Sequence, residues 1–320
     1  MSAVGRIRAL PATGSLANVT VDPSLVLAPG PWTHRMVAAN GGRFHVALSG
    51  ADDGEAPLVL LLHGFPQFWW AWREQLEPLA RAGYRVAAMD LRGYAGSDKP
   101  PSAYSIPAMA ADVRGVIRSL GAAQAVVVGH GVGAQVAWSM PRISANATRA
   151  VVALSAPHPV PAHRRMNKCF SAEAIRALAR FQVPWFPERA LTQGGLVAEL
   201  LQSWSATERP AAEVEMYTQA MRLPFVAHSA MEQIRWWVRS TPRLDGRRYL
   251  ASVARPITVP VLSLQGSADP LYRLGAFRHD QDFTSGRYAR LTIDGAGHFL
   301  PEEAPGEVTD LLLEWLADLD

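Results

Sequence analysis

The sequence predicts an α/β protein: a mostly parallel, eight-stranded sheet with helices on both faces and a helical lid inserted in the chain. Three observations predict it. Short apolar runs alternate with segments of helical periodicity from residue 32 to about 157, and again from about 246 to the end. Strand signals are missing in between, over 157–245. The unusual loops around His63, Gly131, Asp269 and His298 each follow a predicted strand, and open α/β sheets bind ligands at those strand ends.

Residues 1–30 have no sustained periodicity and are punctuated by Pro11, Pro23 and Pro29, so they read as a loose N-terminal extension. Residues 32–39 and 43–49 read as strands joined by a hairpin turn at Asn40-Gly41-Gly42. The run at 58–62 is wholly apolar, as in a strand covered on both faces. A helix over 69–82 and a strand over 84–89 follow. Over 107–120, Ala108, Ala111, Val113, Val116, Ile117 and Leu120 recur at helical spacing. Next come a strand at 125–128, a helix over 132–140 that Pro141 should end, and a strand at 150–154. The pattern resumes with strands at 259–264 and 288–293 and a helix over 305–316. The expected organisation is therefore an extension (1–30), a core (31–156 and 246–320) and a lid (157–245). Trp185, Trp204, Met216, Tyr217, Met221, Trp236 and Trp237 lie in the lid. Most should be packing, with a few lining a cavity between lid and core.

Composition excludes several classes. With 320 residues, 49% hydrophobic and 18% charged, the chain can bury a large core and is not of disordered type. The net charge of +3 is small, and basic residues cluster only as pairs such as Arg164-Arg165, which argues against nucleic-acid binding. The single cysteine, Cys169, excludes an internal disulfide and a multi-cysteine zinc site, and fits a cytoplasmic setting. No apolar run reaches the roughly 18 residues of a membrane span. No cofactor or metal is expected.

The segment Gly129-His130-Gly131-Val132-Gly133 has the spacing of a nucleophile elbow, where a strand turns sharply into a helix and presents a reactive side chain. Its middle residue is Gly131, which has no side chain. A non-glycine residue at such a turn is strained by about 1–3 kcal/mol, so glycine there relieves the backbone. The loop after the first parallel strand offers the Phe65 N–H as an oxyanion-hole donor, and the residue after the elbow position offers the Val132 N–H. Asp269 and His298 each follow a later strand. A lone Asp at such a place is usually a turn residue, and a lone His a satisfied structural group. Both at strand ends, in the order nucleophile position, acid, histidine, they read as a dyad in which Asp269 orients His298. Ser155 and Ser267 also follow strands, but neither has elbow spacing.

These residues resemble the epoxide-hydrolase-like branch of the α/β-hydrolase family. The matching stretches are His63-Gly64-Phe65-Pro66 with Trp69, Trp72 and Arg73; Asp90-Leu91-Arg92-Gly93-Tyr94 through Pro100; Gly129-His130; Ala156-Pro157-His158-Pro159; Gly266 through Asp269; and Gly295 through His298 with Glu302 and Pro305. The resemblance covers about 32–318 and implies the α/β-hydrolase fold. It also implies an Asp where this chain has Gly131, a Trp where it has Val132, and two lid tyrosines. The tyrosine positions fall near 177–180 and 233–234, where this chain has none. Tyr217 is left as a candidate donor.

The expected function is hydrolysis of a small, largely apolar substrate by His298 and Asp269 as general base, without a covalent ester. The alternatives are a non-catalytic ligand-binding relative and a hydrolase with a relocated nucleophile. His63, Pro66, His130, Tyr217 and Trp236 are the expected substrate contacts. The expected partner is a small apolar molecule, with no nucleic acid or membrane, in a monomer or homodimer.

Overall fold

The computed structural model describes residues 21–51, 54, 56–273 and 275–319. Eight strands form one sheet: β1 (Thr33–Ala39), β2 (Gly42–Ser49), β3 (Leu58–Leu62), β4 (Arg85–Met89), β5 (Ala125–His130), β6 (Thr148–Leu154), β7 (Val261–Gly266) and β8 (Tyr288–Ile293). Their spatial order is β1-β2-β4-β3-β5-β6-β7-β8. The β1–β2 and β2–β4 pairs are antiparallel and all others parallel. Every residue of β3, β4, β5 and β7 is buried. Helices α1 (Arg73–Arg81), α2 (Ile106–Ser119) and α3 (Val132–Ile143) connect the strands of the first half.

Local chemistry explains most boundaries. The β1–β2 hairpin closes on Asn40 and Gly41, both at positive φ (45° and 77°), so the turn is two residues long and Gly42 already pairs with Ala39. Ser105 caps α2 by accepting from the Ala108 N–H, with Pro107 in the first turn. Three expectations need correction. Pro141 does not end α3, which runs on to Ile143. It lies in the last turn, where only the Ala137 carbonyl loses a partner. The helix expected over 69–82 opens as a 3₁₀ turn, Trp69–Trp72, before α1. Finally, the end of the N-terminal extension is docked rather than loose. Residues Pro23–Leu27 form a 3₁₀ turn capped by Asp22, Val26 is buried, and its carbonyl accepts from Trp69 Nε1 at 2.8 Å. Residues 1–20 of that expectation lie outside the described residues.

Between β6 and β7 the chain runs through helices from Pro159–Arg164 to Leu244–Val253. The last of these crosses the expected boundary at 245 and packs on α3, where Tyr249 Oη and Ser139 Oγ are 3.0 Å apart. No described helix is long and apolar enough to cross a membrane.

Candidate active site

The parallel strands β3, β5, β6 and β7 end side by side, and the loops leaving three of them, with the loop after β8, build the site. At the end of β5 the backbone swings through Gly131 (φ 54°, ψ −112°) directly into α3. The glycines of this turn have different physical causes. A Cβ on Gly129 would lie 2.2 Å from the Gly133 carbonyl oxygen, and one on Gly133 would lie 2.3 Å from the Leu62 oxygen. Both are imposed by backbone packing. Around Gly131 the nearest atoms to such a Cβ are Gly64 Cα and His298 Nε2, each at 3.6 Å. There is room for a side chain there, and only the positive φ favours glycine.

His298 follows β8 and is held from several directions. Its Nδ1 lies 2.9 Å from Asp269 Oδ2. Asp269 follows β7, and its Oδ1 accepts from the Leu271 N–H at 2.8 Å. A carboxylate can only accept, so Nδ1 donates to it and Nε2 faces Gly131. The His298 N–H donates to the Trp204 carbonyl, and its carbonyl accepts from His130 Nε2 at 2.7 Å. Glu303 clasps the loop, accepting from the N–H groups of Gly297, Phe299 and Ala206. Glu303 was not singled out in the sequence, whereas Trp204 is one of the named lid aromatics and lines the cavity. A Glu in the first turn of a short helix, four residues after Phe299, was the available signal for the first. Phe65 and Val132 line the same cavity, and their N–H groups donate to no group among the described residues.

These groups open onto one cavity of about 110 Å³. Gly131, Val132, Phe65 and His298 form its inner end, and Phe181, Trp204, Ile234, Trp237 and Leu271 are among its apolar walls. Leu178, Gln233 and Ile234 also line it; they come from the two stretches where the resemblance implies tyrosines. Gln233 Oε1 is engaged by Tyr94 Oη at 2.9 Å. Tyr272 joins the lining unpredicted, three residues beyond Asp269.

The expected substrate contacts fare differently. His63, Pro66, His130, Tyr217 and Trp236 do not line this cavity. His63 is fully buried: Nδ1 donates to the Gly64 carbonyl and Nε2 accepts from the Leu91 N–H, so it ties β3 to β4. Burial holds its pKa below the ordinary imidazole value. His130 is equally buried and held well below that range, first by burial and then by the neighbouring His298. It works as a strut: Nε2 supports His298, and Gly64 is glycine because a Cβ there would meet His130 Nδ1 at 2.5 Å. Pro66, after a cis peptide bond, is buried behind Phe65 in the chain. Tyr217 donates to Glu302 Oε1 at 2.6 Å, in a buried cluster where Glu302 also pairs with Arg73 and Arg209. That cluster joins α1 to the helix Ala211–Arg222. Trp236 points at Asp245 and Tyr249; the next residue, Trp237, faces the cavity and donates to Gln135 Oε1. One residue is 100° of helix, enough to exchange the two faces.

Neither other serine lines the cavity. Ser155 is buried at positive φ, and Ser267 Oγ is engaged with Asp294. Cys169 is buried with its thiol pKa raised, chiefly by burial, the opposite of a reactive thiolate.

The fold and these loops define a member of a large hydrolase class. The family model for the alpha/beta hydrolase fold matches residues 57–305, and the chain belongs to that family. It is 33% identical to epoxide hydrolase A of Mycobacterium tuberculosis, across 91% of this chain and 99% of that one. It is 32% identical to the AB hydrolase superfamily protein YfhM of Bacillus subtilis, across 88% and 97%. Among solved structures, epoxide hydrolase A from Mycobacterium thermoresistibile superposes with a TM-score of 0.75 at 28% identity, covering 89% of this chain and 98% of that one.

Proposed function

We propose that this protein is an epoxide-hydrolase-like enzyme that hydrolyses a small, largely apolar epoxide or ester without a covalent intermediate. One observation carries this reading. His298 Nε2, oriented through Nδ1 by Asp269, has no protein partner among the described residues and faces the space that a side chain on Gly131 would fill. In this reading Gly131 occupies the nucleophile position, and residues 157–245 act as the lid. A water beside Gly131 supplies the nucleophile. His298 takes its proton at Nε2 as the oxygen attacks carbon, and Asp269 stabilises the imidazolium. The breaking C–O bond leaves its electrons on oxygen, where the N–H groups of Phe65 and Val132 receive the charge. His298 then returns the proton to that oxygen. Leu178 and Ile234 supply no hydroxyl donor, which leaves the activation to these backbone donors and to Tyr272, the tyrosine lining the cavity. The relatives named as epoxide hydrolases support the substrate class.

The test is a single turnover of an aryl epoxide or a p-nitrophenyl ester in ¹⁸O-labelled water. The expected result is solvent oxygen in the first product, no ester adduct on the protein, and loss of turnover in His298→Ala. An adduct would overturn the non-covalent step. An absence of turnover across a broad panel, with apolar ligands bound equally by wild type and His298→Ala, would overturn the enzymatic reading in favour of a binding protein.

A further inference from the structure

We infer that the space over Gly131 is also a binding site for the carboxyl group of a small carboxylic acid, whose apolar part fills the cavity. The inference rests on the reading of this end of the cavity as a base beside two donors, but not on turnover.

The inner end of the cavity is rich in groups suited to an anion and holds no anion of its own. Val132 opens α3, a twelve-residue helix, and its N–H is free among the described residues, so the positive end of the helix points at the space. The Phe65 N–H is free there too. A second kind of observation points the same way. The His298 side chain is 94% buried by its 6% exposure, and its unpartnered Nε2 faces the same space. No Asp or Glu lines the cavity. Asp269 lies behind the imidazole with both oxygens engaged, by His298 Nδ1 and the Leu271 N–H. Nothing comes closer than 3.6 Å to a Cβ built on Gly131, so the space is open.

An anion so placed meets donors that nothing else satisfies. A neutral acid entering the site gives its proton to Nε2. The resulting carboxylate then accepts one hydrogen bond from the imidazolium and others from the backbone, and charge-assisted bonds of this kind are about twice as strong as neutral ones. The remaining wall, Phe181, Trp204, Ile234, Trp237 and Leu271, selects an apolar body. The volume of about 110 Å³ selects a short one. An amide of the same shape cannot yield that proton, so the site should discriminate between isosteres. In turnover such an acid takes the place of the attacking water and inhibits competitively.

Isothermal titration of butanoate and of isosteric butanamide into the wild-type protein tests this. Butanoate should bind at least tenfold more tightly. Gly131→Asp, which puts a tethered carboxylate in the same space, should abolish butanoate binding, as should His298→Ala. Gly131→Ala, with only a methyl group added, should weaken it and serves as the measurement if Gly131→Asp does not fold. Equal affinity for acid and amide would overturn the inference, as would butanoate binding that Gly131→Asp or Gly131→Ala leaves unchanged, since the ligand would then sit elsewhere. Because binding is read without turnover, an inactive enzyme that discriminates the isosteres overturns only the catalytic reading, and an active enzyme that does not overturns only this one.

Discussion

Among the described residues there are two buried histidine–carboxylate pairs of nearly equal geometry, His298–Asp269 at 2.9 Å and His45–Asp90 at 2.8 Å. What lies beyond the imidazole separates them. His298 Nε2 opens on the cavity, whereas His45 Nε2 lies 3.0 Å from His34 Nδ1, and His34 Nε2 lies 3.1 Å from the Ala28 carbonyl oxygen. The second chain begins and ends on groups that only accept. All four of its ring nitrogens are therefore engaged, and burial foremost pushes the His34 pKa down. The same carboxylate–imidazole unit is thus closed on both ring nitrogens at one edge of the sheet and open on one at the strand ends. Pair geometry does not identify a catalytic histidine; the unspent nitrogen does.

The largest test of that contrast is a pair of alanine variants. His298→Ala should lower kcat by about 10²–10⁴-fold, the usual contribution of a general base, and should also lower the melting temperature, because the buried Asp269 Oδ2 loses its partner. His45→Ala should lower stability without the loss of activity. It leaves the buried Asp90 Oδ2 without its imidazole partner, which costs about 1–3 kcal/mol, while kcat in the surviving folded fraction stays within a few-fold of wild type. Steady-state kinetics and urea unfolding on both variants read this out. Equal losses of activity would remove the distinction.

Gly131 sharpens the comparison from the other side of the open base. Gly131→Ser meets no steric obstacle, since the nearest heavy atoms lie 3.6 Å from its Cβ. It adopts a backbone conformation unfavourable to any side chain, so stability should fall by about 1–3 kcal/mol. An unchanged or raised melting temperature would mean that the site has relaxed and that strain is not why glycine is tolerated.

Much of this was legible in the sequence. Every expected strand is present, because buried parallel strands such as 58–62 are unbroken apolar runs and their turns carry glycine. The pairing of Asp269 with His298 and the siting of Gly131 between them and Phe65 followed from strand-end logic. The side chains beyond that were not legible. His63 and His130 read as contacts because they flank the key loops, but whether a histidine faces a cavity or a backbone carbonyl depends on which strand lies alongside. Trp236 and Trp237 are chemically identical, and only the phase of a helix without a strict apolar stripe separates them. Tyr217 belongs to a cluster assembled from residues 73, 209, 213 and 302, whose partners no local pattern reveals.

A third histidine, with no carboxylate on its ring, completes the comparison and gives the smallest effect. His158 is buried and stacked on Phe283 at 4.2 Å, and its Nδ1 accepts from the Val160 N–H, which fixes a neutral ring. Burial pushes its pKa from 6.5 down to about 3. The sign follows from where protons bind. Above pH 6.5 neither folded nor unfolded chain protonates this residue, so its contribution to folding is intact. As pH falls from 6.5 towards 3 only the unfolded chain takes up the proton, and stability drops by at most about 1.4 kcal/mol per pH unit. Between pH 7 and 5.5, wild type should therefore lose about 1 kcal/mol more than His158→Phe, which keeps the stacked ring and removes the titration. Urea unfolding of both proteins at the two pH values measures the difference. Identical losses would show that His158 takes up its proton in the folded state, and that burial without a carboxylate does not keep a histidine neutral in this fold.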